Sequence, residues 1–286
     1  MSTINELVGK LQRELKLRKY ANSSIDTYSS CLRVFLSQHK KFNSYQDIED
    51  VKSFLLTISN SNYHKQMVAT IHHFFGEVLR RPLTIFDIPY PRKTHYLPEI
   101  LSLQEVYRMI GTIKNIKQKA IIQLMYSCAL RIGEIVKLKL PNIDSDRMLV
   151  LVKGAKGFKD RYVPLPMPTL QLLRSYYKLY YPHKWLFEGQ FHEEYSVRSI
   201  QLIFHRAIKE AKIYKRVTPH CLRHSRLTHL KEAGVDIHEL KLIAGHNNIK
   251  TTEIYLHLAK ESLVNRVAMA DQLLASIIET KKIEYH

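Results

Sequence analysis

Several things are scarce in this sequence, and each scarcity excludes something. No run of about 18 apolar residues occurs, so no membrane-spanning helix is expected. The three cysteines, Cys31, Cys128 and Cys221, lie far apart and form no Cys-x-x-Cys pair. This indicates neither a disulfide framework nor a thiolate zinc site, and fits a reducing, cytoplasmic setting. The opening MSTINELVGKLQREL carries charges where a signal peptide needs an apolar segment, which argues against secretion. No segment repeats and none is of low complexity. His220 and His224 are one helical turn apart, but no glutamate makes a His-Glu-x-x-His pattern and no cysteine pair completes a site, so no metal is expected.

What is present is length and positive charge. The 286 residues suffice for about two domains, and 45% hydrophobic with 24% charged residues is an ordinary globular balance. Forty-four Lys and Arg against 26 Asp and Glu give a net charge of +18 and a pI near 9.7. The excess is spread, at +6 over residues 1–93 and +12 over the rest. A polyanion touching both parts is the natural partner, because each neutralised phosphate releases counterions. A solvated basic surface with no partner is the plainer alternative.

Residues 1–81 read as a small helical domain. Thr3-x-x-Glu6 has the form of a capping box ahead of Leu7, Leu11 and Leu15, and Asn22-Ser23-Ser24 caps a second stripe through Ile25, Tyr28, Leu32, Phe35 and Leu36. Helices over 47–58 and 63–79 complete it. Pro82, Pro89, Pro91 and Pro98 then forbid regular helix in a basic linker over 82–98. A second domain, 99–286, restarts at the capping box Ser102 to Glu105. An apolar helix over 118–130 runs into Arg131. Two strands are predicted, at 148–152 and 162–165, flanking a basic loop, KGAKGFKDR, between strands. That loop lacks the GxxxxGK(S/T) phosphate-cradle pattern and reads better as a mobile lysine finger. Helices over 167–181 and 196–211 follow, and apolar positions from Leu263 to Ile278 recur at helical spacing in a terminal helix.

The most informative stretch is Thr218 to Tyr255. Thr218-Pro219 opens a helix, and His220 and Arg223, three positions apart, leave the same face and can contact one anion. Gly234 offers a left-handed cap. A second helix over 236–243 turns Ile237, Leu240, Leu242 and Ile243 to a core and ends at Gly245-His246. Thr251-Thr252-Glu253 opens a further helix presenting Tyr255 to whatever the basic groups hold. This is equipment for attacking a phosphodiester.

Taken together, ALRIGEI at Arg131, KGFKDRYVPL after Lys156, TPHCLRHS, AGH at His246 and TTEIYLH at Tyr255 resemble the tyrosine recombinase (phage integrase) family, and most closely its short Xer-like members. The likeness spans essentially the whole chain. It implies a mainly α fold with a small antiparallel β-sheet: a helical core-binding domain and a mixed α/β catalytic domain that form a C-shaped clamp on double-stranded DNA. It implies a site-specific recombinase in which Tyr255 forms a 3′-phosphotyrosyl link. Arg131 and Arg223 would hold the phosphate, and Lys156 would protonate the leaving 5′-oxygen, with Lys153 and Lys159 as rivals. His220 would assist proton transfer with the tyrosine, and His246 would donate to the phosphate. Neither metal nor nucleotide cofactor is implied. The resemblance also implies a homo-tetramer on two core sites, a Holliday junction, exchange of the 263–278 helix between protomers and, in some systems, a second recombinase. An additional arm-binding domain is not expected. The alternatives are a non-cleaving DNA-bridging protein on the same fold and, among enzymes, a type IB topoisomerase.

Overall fold

The computed structural model describes residues 3–38, 48–80, 88–91, 98–154 and 160–258. The chain divides into two compact units, Met1–His95 and Tyr96–His286. Among the described residues, no helix is long and apolar enough to cross a membrane.

The first unit is built from α1 (Ile4–Leu17), α2 (Asn22–Gln38), α3 (Ile48–Leu56) and α4 (Ser61–His73). The Thr3 capping box forms as the sequence suggests: the Thr3 side chain accepts from the Glu6 amide, and the Glu6 carboxylate accepts from the Thr3 amide. Leu11, Leu32, Phe35, Met67, Ile71 and Phe74 form the centre of its core and are fully excluded from solvent. The helix predicted over 63–79 is instead α4 followed by a π turn over Phe74–Val78, which buries Phe74.

The second unit places one apolar helix at its centre. It contains α5 (Leu103–Thr112), α6 (Ile116–Ser127), α7 (Ile132–Ile135), α8 (Met167–Tyr180), α9 (Val197–Glu210), α10 (Pro219–Glu232), α11 (Ile237–Ala244) and α12 (Ile254–Leu258). Helix α6 packs against α5, α7, α8, α9 and α10, and this explains why none of its residues is exposed. Three strands, β1 (Ile143–Asp144), β2 (Leu149–Val152) and β3 (Arg161–Pro164), pair antiparallel in that order, with Ile143 opposite Val150 and Val152 opposite Arg161. The short β1 escapes a reading of the sequence because two residues carry no alternation. At the mouth of the β2–β3 hairpin the Gly154 amide donates to Asp160 Oδ1 at 2.8 Å. Residues 155–159, with Lys156 and Lys159, lie outside the described residues, as do most of the 82–98 linker and the 263–278 helix.

Two local expectations need correcting. The helix expected over 118–130 stops at Ser127. Ala129 then turns left-handed at φ +50°, its amide donates to Tyr126 O and that of Leu130 to Met125 O. This is a Schellman-type end made with alanine where glycine is usual. Arg131 therefore caps a new helix, α7, rather than ending α6. The second correction concerns Leu242, which is 70% exposed. Helix α11 packs on α10 and β3 through a single face, which buries Leu240 and Ala244, four positions apart, and turns Leu242 away.

Ser225 ties the start of this unit to α10. Its buried hydroxyl accepts from the Leu101 amide at 2.9 Å and donates to Cys221 O at 2.7 Å. Ser225→Ala leaves the Leu101 amide without a partner in an apolar setting, a cost of about 1–3 kcal/mol. A lowered urea midpoint with unchanged m-value is the expected result, and an unchanged midpoint would show that water replaces the hydroxyl.

Candidate active site

Arg223 lies on α10 and is 1% exposed. Its Nη1 donates to Ala129 O at 2.7 Å and its Nη2 to Ala244 O and to His246 Nε2, the latter at 3.1 Å. Ala244 is the last residue of α11, and Ala129 follows the end of α6, so the guanidinium receives the carbonyl-rich ends of two helices, where a cation is favoured. Among the described residues no carboxylate lies within ion-pair distance of it. Burial, with Arg131 adding to it, pulls its pKa down to about 10, which leaves the charge in place at neutral pH.

Because Arg223 only donates, His246 Nε2 accepts from it, and the proton of that ring sits on Nδ1, which donates to Thr252 Oγ1 at 3.0 Å. Thr252 is fully buried. Burial, followed by Arg223 and Arg131, lowers the His246 pKa to about 3, so the ring is neutral. Tyr255, on α12, stacks parallel to His246 with ring centroids 6.3 Å apart, and its hydroxyl bonds His224 Nδ1 at 3.0 Å. The ring is fully buried in a small cluster with Ala129, Leu227, Leu240 and Ala244, separate from the main core. Burial raises the Tyr255 pKa to about 12 despite the opposing pull of Arg223 and Arg131.

Arg131 reaches the same centre from α7. Its Nη1 donates to Glu134 Oε1 at 2.8 Å and its amide to Glu134 Oε2 at 2.8 Å. Arg161, at the start of β3, grips that carboxylate in bidentate fashion at 2.9 Å and donates through Nε to Ile243 O at 2.9 Å. Gly245, left-handed at φ +59°, passes so close that a Cβ there would stand 2.8 Å from Arg161 Cδ. One carboxylate thus fixes two arginines and registers β3, α7 and the end of α11 against each other. His220 keeps an exposed edge while its ring meets His224 edge to face at 4.5 Å. Burial of the rest of the ring, then Arg223 and Arg131, lowers its pKa. His220 and Arg131 line an open pocket of about 740 Å³ whose other walls include Lys137, Lys139, Lys153 and Trp185. The ammonium groups of Lys139 and Lys184 each lie 5.1 Å from the Trp185 ring centroid. No group of three or more His, Cys, Asp or Glu among the described residues has the geometry of a metal site.

Five of the six residues singled out in the sequence, Arg131, His220, Arg223, His246 and Tyr255, therefore converge within the second unit. The model of the phage integrase family matches residues 99–262, which contain all six.

The chain belongs to the phage integrase family, the tyrosine recombinases. A Sinorhizobium fredii protein described as an integrase/recombinase is 34% identical over 260 residues, 87% of this chain and 83% of its own length. A tyrosine recombinase of Thermosipho africanus is 30% identical over 88% of this chain and 94% of its own. Among solved structures, the XerH site-specific recombinase bound to palindromic difH substrate shares the fold, with a TM-score of 0.75 at 22% identity, covering 95% of this chain and 86% of that one.

Within this tyrosine recombinase, three residues at the centre were not singled out from the sequence. The signal for Glu134 is the capping-box spacing of Arg131-x-x-Glu134. Arg161 lies within the KGFKDRYVPL stretch, and its partner Glu134 stands 27 positions away. His224 stands one helical turn from His220, and the sequence gives no sign that it, rather than His220, meets the Tyr255 hydroxyl.

Glu134 carries a pH prediction. Burial alone would raise its pKa, but the hydrogen bonds and charge of Arg161, with hydrogen bonds from Arg131, hold it at about 2 against 4.5 for the free group. A depressed carboxylate pKa contributes stability above the unfolded value and loses it as pH falls towards the folded one. Wild type should lose on the order of 3 kcal/mol between about pH 5 and pH 2 from this group. Glu134→Gln should lack that part of the acid limb in urea melts at stepped pH, and an identical limb in both proteins would show the network to be energetically neutral.

Proposed function

We propose that this tyrosine recombinase breaks and rejoins double-stranded DNA at specific sites through a 3′-phosphotyrosyl intermediate formed by Tyr255. The observation that carries the reading is the placing of a buried Arg223 guanidinium, held by carbonyls and an imidazole with no carboxylate partner among the described residues, beside a tyrosine hydroxyl. Such a cation, with Arg131 beside it, attracts a phosphodiester and stabilises the charge that grows on the non-bridging oxygens. Attack by Tyr255 Oη on phosphorus makes the phosphotyrosyl bond and expels the 5′-oxygen, which takes a proton from Lys156. The energy of the broken bond is kept in the adduct, so the reverse attack by a 5′-hydroxyl rejoins the strand. His220, at the edge of the basic pocket, assists proton transfer. A bound phosphate opposes the field of Arg223 and Arg131, raising the His246 pKa towards the range in which that ring donates to the anion.

Residues 99–286 form the catalytic domain in this reading, and residues 1–81, with the 82–98 linker, a second contact to the same duplex. Both parts carry the net positive charge this requires. The active assembly is a homo-tetramer on two core sites joined as a Holliday junction, with the 263–278 helix exchanged between protomers. A second recombinase would replace some of these subunits. A chain ending at Ser262 should keep single-site binding in gel-shift assays and lose synapsis; unchanged recombination would remove the exchange from the scheme.

The test of the nucleophile is covalent capture. Wild type and Tyr255→Phe are incubated with sheared DNA of the source organism with magnesium chelated. The expected outcome is a protease-sensitive adduct at the DNA 3′ end from wild type alone, and sequencing it gives the site. Specific binding without an adduct from either protein, even on nicked duplex, would favour the non-cleaving, bridging reading.

A further inference from the structure

We propose that His224 is the base that takes the Tyr255 proton during cleavage and returns it during rejoining. The proposal rests on the Tyr255 nucleophile reading above and adds to it the group that makes the tyrosine reactive. The geometry is direct. His224 Nδ1 lies 3.0 Å from Tyr255 Oη, within reach for proton transfer. The ring of His220, assigned to the tyrosine from the sequence, makes its ring contact with His224, and no hydrogen bond joins it to the hydroxyl. His224 thus stands between His220 and the nucleophile, adjacent in sequence to the arginine that would hold the phosphate.

A base is needed. With its pKa at about 12, Tyr255 is a phenolate in only about one molecule in 10⁵ at pH 7. Binding a phosphate makes this worse, because the anion offsets the arginines that favour the phenolate. The groups facing His224 are His220 and Arg223 on its own helix, Tyr255 on α12 and His246 beyond α11. Burial, then His220 and Arg223, lower its pKa to about 4, which keeps the ring neutral and able to accept a proton. As Tyr255 Oη bonds to phosphorus, its proton passes to Nδ1 and the new imidazolium is offset by the phosphate. Rejoining reverses both transfers.

The probe is the duplex recovered by adduct sequencing, nicked so that the leaving strand diffuses away. Single-turnover adduct formation is followed from pH 6 to 9 for wild type, His224→Gln and His220→Gln, with DNA affinity measured in parallel. His224→Gln keeps a hydrogen-bonding group but no base. It should slow the step by about 10²-fold or more at pH 7 with unchanged affinity, and the deficit should shrink as pH rises. A rate within threefold of wild type at every pH, or a slower rate in His220→Gln with His224→Gln unaffected, would overturn the assignment. If His224→Gln fails to fold, nitrogen-15 spectra of wild type decide: an unprotonated Nδ1 that shifts in Tyr255→Phe supports it, and a protonated Nδ1 overturns it. A wild type that forms no adduct fails the nucleophile reading itself, and the base assignment falls with it.

Discussion

The second unit is arranged around one buried positive charge. Taking a guanidinium out of water is costly unless its donors are matched, and Arg223 is matched by two backbone carbonyls and one imidazole. Those carbonyls belong to the ends of α6 and α11, so the centre of the site is set by where two helices stop. That is why the stops are unusual. Ala129 takes a left-handed conformation that costs a non-glycine residue about 1 kcal/mol or more, and Gly245 does the same beside Arg161. Both turns aim a carbonyl that an extra helical turn would point elsewhere.

Around that charge the protein separates two tasks. The Glu134 carboxylate neutralises and orients the outer arginines, Arg131 and Arg161, and never contacts Arg223. The inner arginine keeps its field directed at the tyrosine and the histidines, whose pKa values all move in the direction that holds them uncharged. In a centre built this way the three histidines and the tyrosine are uncharged beside a buried cation.

Much of this was legible in the sequence, and the division has a physical basis. Capping boxes, proline breaks and apolar stripes are local, so α1, α2, α5 and the β2–β3 hairpin could be placed within a residue or two. The five converging site residues stand in turns and at helix starts whose glycines and prolines mark them out. What stayed hidden was long-range or conformational. Arg161 and Glu134 meet across 27 positions, His224 and Tyr255 across 31, and α6 ends early on an alanine that no turn preference marks. Leu242 looked like core because hydrophobicity does not say which face of a short helix has a neighbour.

Tyr255 is not rooted in the main core. Tyr255 sits on a five-residue helix whose support is the small cluster of Ala129, Leu227, Leu240 and Ala244. Such a patch can open as its own cooperative unit, at a free energy well below that of global unfolding. Opening of that patch would be uncoupled in part from the stability of the domain that carries it. Substitutions in the α6-centred core can then shift melting temperature without changing how often the patch opens, whereas truncation of Leu227 or Leu240, both fully buried, alters both.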